Sequence, residues 1–269
     1  MDEHERLLPL VREATSHPRR WSARHPSQEL WCRQVTRFRL LPAAALVLAA
    51  AIAGCGSSSS SSSENGVAAK SPTEILSASK TAADSASAVH VSGSMVSGGA
   101  PITLDLHLVA GKGGKGTISE NGLSFELIQL NGTAYISGSA EFYKHFAGPA
   151  AAQLLQGKWL KASSTSGSLA TLASLTDLQK LIDAALAQHG TLTKGAKTTI
   201  SGQPAIPVTD TTQNGSLYVA TTGQPYPIQI SKSGSGGGKI TFDEWNKPVT
   251  ITAPANAVDI NELQHAGHQ

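Results

Sequence analysis

Apolar positions follow three different spacings along this chain, and each predicts a different kind of segment. Leu40 to Ile52 is an almost unbroken apolar run, residues from Ser71 carry apolar positions at helical spacing, and from Pro101 onward alternation with a period of two dominates. In "SPTEILSASKTAADSASAVH" the positions Ile75, Leu76, Ser79, Ala82, Ala83 and Ala86 fall on one helical face. Ser71 suits the cap, Pro72 the first helical position and Glu74 the third place of a capping box, so a helix with a small-residue apolar face is predicted there.

Strands follow. In "PITLDLHLVA" Ile102, Leu104, Leu106 and Leu108 alternate with Thr103, Asp105 and His107, the pattern of a sheet buried on one face. "GTISENGLSFELIQLNGTAYISG" adds Asn121-Gly122 and Asn131-Gly132, the dipeptides of tight hairpins, and predicts a meander. Residues 140–190 change character: "FAGPAAAQLLQ" and "SLATLASLTDLQKLIDAALAQHG" read as short helices, the second with Leu175, Leu178, Ile182 and Leu186 on a face and Gly190 as its stop. Between them "GKWLKASS" reads as extended. Alternation resumes in "TKGAKTTISGQPAIPVTDT", "GSLYVATT", "YPIQISKS", "GKITFDEW" and "PVTITAPA", with Asn214-Gly215 and Gly234 to Gly238 as turns.

The total is roughly nine to eleven strands. A sheet that wide must curl, split or close, so the fold class is α+β, a strongly curved antiparallel sheet with helices on its concave side.

The apolar run from Leu40 is too short to span a bilayer, which takes about 20 residues. With Arg33, Arg37 and Arg39 ahead of it and Ile52-Ala53-Gly54-Cys55 behind, it has the form of an export signal ending in a bacterial lipobox, and Cys55 is the expected lipidation site. Seven serines follow, and Gly56 to Lys70 reads as a flexible tether with a reach of roughly 20 Å. Residues 1–34 do not fit a lipoprotein signal and read as an extension ahead of a start at Val35. The predicted organisation is therefore extension 1–34, signal peptide 35–54, lipidated cysteine and tether 55–70, and one folded domain 71–269.

Charge divides at the same place. All eight arginines lie in the first 39 residues, and from Cys55 on thirteen lysines face fourteen acids, so the net +2 of the whole chain belongs to the segment ahead of the fold. No basic stripe is left for a nucleic acid. The two cysteines, Cys32 and Cys55, both lie outside the domain, which excludes an internal disulfide there.

Taken in order, the lipobox, the serine tether, the opening helix, the meander, the helical insert and then "GSLYVATTGQPYPIQI" and "ITFDEWNKPVTITAPANAVD" resemble the actinobacterial LppX/LprG lipoprotein family. Its fold is related to the carriers LolA and LolB. The resemblance covers Ser71 to about Asp259 and is most specific in the last third. It implies a half-barrel cupping helices around an apolar cavity, a membrane anchor through acylated Cys55 on the extracytoplasmic face, and a lipid or glycolipid ligand that is bound, carried or presented. Inward-facing Leu104, Leu106, Phe125, Leu127, Val219 and Ile230 would line such a cavity; the same alternation also describes a packed core and an envelope interaction or sensing module.

Other constellations carry less. "GKGGKG" (Gly111 to Gly116) spells G-x-G-x-x-G but precedes a strand and hairpin rather than a helix, so it reads as a loop. His265 and His268 at the chain end lack a rigid frame, and no metal site or cofactor is expected. No G-x-S-x-G elbow or paired carboxylate set is present, and no enzyme is predicted.

Overall fold

The two runs of alternation build two antiparallel arms of a single sheet in the computed structural model, which describes residues 63–97, 99–165, 174–186, 189–234, 236–260 and 262. In the first arm β1 (Ala88–Ser97), β2 (Ala100–Val109), β3 (Gly113–Glu120), β4 (Leu123–Leu130) and β5 (Thr133–Gly138) are successive neighbours. β6 (Leu160–Ser163) extends this arm, and β13 (Val258–Asp259) joins β6 in parallel. In the second arm β7 (Leu192–Lys194) and β8 (Thr198–Ile200) both pair with β9 (Gln203–Asp210), followed by β10 (Gly215–Ala220), β11 (Pro227–Lys232) and β12 (Gly238–Asp243). β12 then pairs with β1, His90 opposite Asp243, and joins the arms.

Thirteen strands result among the described residues, against nine to eleven expected. β1 lies ahead of the alternation that begins at Pro101, and β7, β8 and β13, of three, three and two residues, are too short to display a period. Laid flat, such a sheet would span roughly 55–60 Å at the usual strand spacing. Yet residues from both arms, such as Leu104, Leu127, Val208 and Val219, share one core with α1 (Pro72–Asp84) and α3 (Leu178–Leu186). The sheet therefore curls around its helices, remains open, and keeps them on its concave side, as expected.

Local signals hold where they are strong. Ser71 and Glu74 form the full capping box of α1, with Ser71 N donating to Glu74 Oε2 at 2.9 Å. Asn121-Gly122 and Asn131-Gly132 all have positive φ, the requirement of the type I′ hairpin turn. In α3 Leu178, Ile182 and Leu186 are buried as predicted, although the helix starts at an unanticipated cap, where Lys180 N donates to Asp177 Oδ1 at 3.1 Å.

Several expectations are corrected. The tether ends sooner than Lys70: Asn65 Nδ2 donates to the carbonyls of Ala220 and Gly223 at 3.0 and 3.1 Å, and Val67 is 1% exposed within the core. An apolar residue that reaches a core site gains more from burial than its segment loses in chain freedom. α2 (Ala140–Leu155) begins six residues before Phe146 because Ser139 caps it, its Oγ accepting from Phe142 N at 3.1 Å. Gly148, at φ 84°, and Pro149 break α2 in two. "GKGGKG" is mostly strand: only Ala110 to Lys112 turn, and a Cβ on Gly116 would collide with the Asp105 carbonyl oxygen across β2. Ser201-Gly202 makes a further positive-φ turn that divides β8 from β9. "PVTITAPA" forms no strand, since both sides of β12 are already occupied and Pro248 and Pro254 lack donors. The signal peptide, Cys55 and His265 and His268 lie outside the described residues.

Polar contacts pin the insert to the sheet. Thr176 Oγ1 donates to Gln129 Oε1 on β4, and Lys80 of α1 reaches Asp84 of its own helix and Asp183 of α3, each at 2.7 Å. Past α3, buried Asp210 accepts from Gly190 N at 2.8 Å and from Thr212 N and Gln213 N at 2.8 and 3.0 Å. The Gly190 bond foremost, against a smaller cost of burial, then the Gln213 and Thr212 bonds hold its carboxyl below the usual 3.8.

Two measurements follow from this packing. A folded-state carboxyl below its unfolded value stabilises the protein above that value, and the contribution disappears as pH falls through the lower folded one. The melting-temperature gap between the wild type and Asp210→Ala is thus expected to be full at neutral pH and to narrow only below the ordinary carboxylate range. Ser79 is fully buried in α1 and its hydroxyl has no hydrogen-bond partner among the described residues, so Ser79→Ala should raise stability by about 1 kcal/mol in urea unfolding.

Candidate functional site

The apolar faces of α3 and the sheet do not close completely. One side of α3 presents Leu178, Ile182 and Leu186 to the core; a second side presents Leu181, Ala184 and Ala185, which are only partly covered. This second side faces Val91 and Met95 of β1, Leu104 of β2, Ile230 of β11 and Ile240 of β12 across a groove of about 590 Å³. Small alanine side chains keep the gap open. Polar groups are confined to Gln213 and the exposed Lys232, while Met95 is 38% exposed at its edge. The volume lies within the roughly 300–1,000 Å³ usual for small-molecule sites.

Of the six residues read from the sequence as cavity candidates, Leu104 and Ile230 border this groove. Phe125 borders a separate cavity of about 270 Å³ under α2, where its ring lies 5.0 Å from that of Phe142, which in turn is 4.8 Å from Phe146. Leu106, Leu127 and Val219 are fully buried and border neither space. Alternation assigned all six to the inward face correctly, but inward is not the same as adjacent to an opening. Which inward positions a helix leaves uncovered is decided by the placement of α3, to which period two is blind.

The "W-N-K-P-V" turn has a structural part. Asn246 N donates to Ala88 O at 2.9 Å, its Oδ1 accepts from Ser87 N at 2.8 Å and its Nδ2 donates to the Tyr226 hydroxyl at 2.7 Å. Trp245 stacks on Tyr226 with ring centres 4.5 Å apart and 5° between planes. The turn thereby fixes the entry of β1 beside the end of β12.

On the opposite, outward face the register assembles a group that the sequence reading did not join. His90 of β1 faces His107 of β2 and Asp243 of β12; the two imidazoles stack at 4.5 Å, and Asp105 sits diagonally on β2. His90 Nδ1 is 2.7 Å from Asp243 Oδ1 and its Nε2 is 3.1 Å from Asp105 Oδ1. Partial burial works against charge on His90, but the bonds to Asp243 and Asp105 together outweigh it and raise its pKa above the ordinary histidine value. The outward positions of His107 and Asp105 were readable from alternation; their meeting with His90 needed the pairing of β1, a strand interrupted by Gly93 and serines.

A curved α+β sheet with an apolar groove beneath its helices is the class this fold and site define. Two solved structures are similar to it, the second of them a lipoprotein. LprF from Mycobacterium bovis is 16% identical, covering 69% of this chain and 97% of that one with a TM-score of 0.48. LppX from Mycobacterium tuberculosis is 18% identical, covering 71% and 100% with a TM-score of 0.46. LppX belongs to the family that the sequence resembles. No protein-family model and no curated protein matches the chain. Among the described residues no helix is long and apolar enough to cross a membrane.

Packing and lining roles separate in stability. Leu106→Ala is expected to cost about 2–5 kcal/mol in chemical denaturation, because it opens a void in a closed core. Ile230→Ala, at a half-buried position that already borders open space, should cost less than half as much.

Proposed function

We propose that this protein is an extracytoplasmic lipoprotein, anchored through acylated Cys55, that holds an acyl chain of a lipid or glycolipid in the groove between α3 and the sheet and carries or presents it at the cell envelope. The observation that carries this reading is the second apolar side of α3, Leu181 with Ala184 and Ala185, standing open to a groove walled by Val91, Leu104, Ile230 and Ile240. A groove of that composition binds by removing apolar surface from water, at roughly 25 cal/mol per Å². Lys232 at its edge suits an anionic or hydroxyl-rich headgroup. No covalent step is part of the activity, and selectivity among headgroups is loose because few polar groups line the groove.

Anchoring is part of the same reading. Two acyl chains on Cys55 hold a protein to a bilayer far more firmly than one, and the serine run lets the domain stand off from that surface. A second reading, docking of an envelope protein, is favoured by Phe146 and Leu154 on α2, exposed by 65% and 66%. It needs no occupied groove.

Uptake of a fluorescent fatty acid by the purified chain separates the two. The wild type is expected to bind it, and Ala185→Trp, which fills the groove from its exposed helical side, to exclude about four methylenes. That is about 3 kcal/mol, or roughly a hundredfold in affinity, with the melting temperature retained. Absence of uptake by the wild type, together with lipid-free extracts from organic solvent by mass spectrometry, would overturn the carrier reading.

A further inference from the structure

We propose that His90, Asp105 and His107 on the outward face of β1 and β2 form a binding site for a borderline divalent cation of the zinc type, with Asp243 on β12 as the residue that positions His90. Strand pairing alone brings the ligands together. His107 stands directly opposite His90, and Asp105, two residues before His107, is its diagonal neighbour on the same face. Their ligand atoms lie within 4.8 Å of one another. Tetrahedral zinc with bonds of about 2.0–2.1 Å needs neighbouring ligands about 3.4 Å apart. His90 Nε2 and Asp105 Oδ1 already stand 3.1 Å apart, so the remaining approach falls to His107, whose ring is stacked on that of His90 and must rotate to aim a nitrogen at the same point.

Hydrogen-bond inventory supports the assignment. A neutral imidazole carries one donor, yet both ring nitrogens of His90 face a carboxylate oxygen. With Nδ1–H donated to Asp243, the lone pair of Nε2 points at Asp105, and only a cation at that place, a proton or a metal ion, makes the contact attractive. A carboxylate on the far nitrogen of a ligating histidine is the usual outer partner of a zinc site: it fixes the tautomer and raises the basicity of the ligand. Two nitrogens and one oxygen suit zinc, copper or nickel rather than magnesium or calcium, which take oxygen donors. The solvent side leaves a fourth position for water. Lys115 stands opposite His107 on β3, and Glu244, next to Asp243, is paired with Lys247 at 3.0 Å.

A cation here would tie β1 to β2 on the face turned away from the groove, and any ligand that binds only the folded chain raises its stability. The test is zinc titration of the purified chain by calorimetry, with thermal melting as a second readout. Wild type is expected to bind zinc and to melt at a higher temperature in its presence. His107→Ala and Asp105→Asn each should weaken the heat signal from this site at least about tenfold and remove the thermal shift, and Asp243→Asn should cost about 10–100-fold. His265→Ala with His268→Ala should change neither readout. The proposal fails if the wild type shows no zinc heat, or if the zinc heat and thermal shift persist in His107→Ala and Asp105→Asn, or if they vanish with the chain-end histidines instead.

Discussion

The pairing of β1 with β12 is the constraint on which the rest of the structure depends. Apart from β13 beside β6 and β7 beside β9, each arm of the sheet is a meander of neighbours in sequence, but His90 and Asp243 are 153 positions apart, and their strands are the seam between the arms. Without this seam β12 and β1 would be exposed edges, and the core residues of the two arms would have no common enclosure. Gly93 makes the close approach feasible: at φ 143° it occupies a conformation that side-chain-bearing residues avoid, and a Cβ there would collide with the Lys239 carbonyl oxygen. The Trp245-Asn246 turn locks the same seam from its end.

One strand then serves both faces. Val89 and Val91 point to the helices and are buried, and Val91 reaches the groove wall; His90 between them points outward to the two aspartates. Period two thus separates an apolar concave face, suited to hydrocarbon, from a polar convex face of histidines and carboxylates. Curvature adds the rest. A sheet of thirteen strands wrapped on helices of 13 and 9 residues cannot be covered everywhere, and the uncovered stretch beside Ala184 and Ala185 is the groove.

Much of this was legible in the residues. The capping box at Ser71, the Asn-Gly turns at Asn121 and Asn131, the alternation of Leu104, Leu106 and Leu108 and the helical spacing of Leu178, Ile182 and Leu186 all act within a few residues, and each appears as read. The class, an α+β curved sheet with helices inside, follows from their sum. β1 was missed because Gly93 and its neighbouring serines have low strand propensity, so that only burial between two partners makes the segment a strand. "PVTITAPA" failed for the opposite reason, a good local pattern that follows a strand already paired on both sides.

The sequence by itself determined the inward face of the alternating strands, the start of α1, the Asn-Gly hairpin turns and the apolar run ahead of Cys55, because those are short-range matters of spacing, capping and turn geometry. Only the tertiary structure decided that Leu104 and Ile230 border a groove while Leu106, Leu127 and Val219 are sealed, that Val67 belongs to the core, and that His90 meets His107, Asp105 and Asp243. These depend on which distant strands share an edge and where a helix comes to rest over them. No local period encodes that, since it is settled by the burial of the whole core at once.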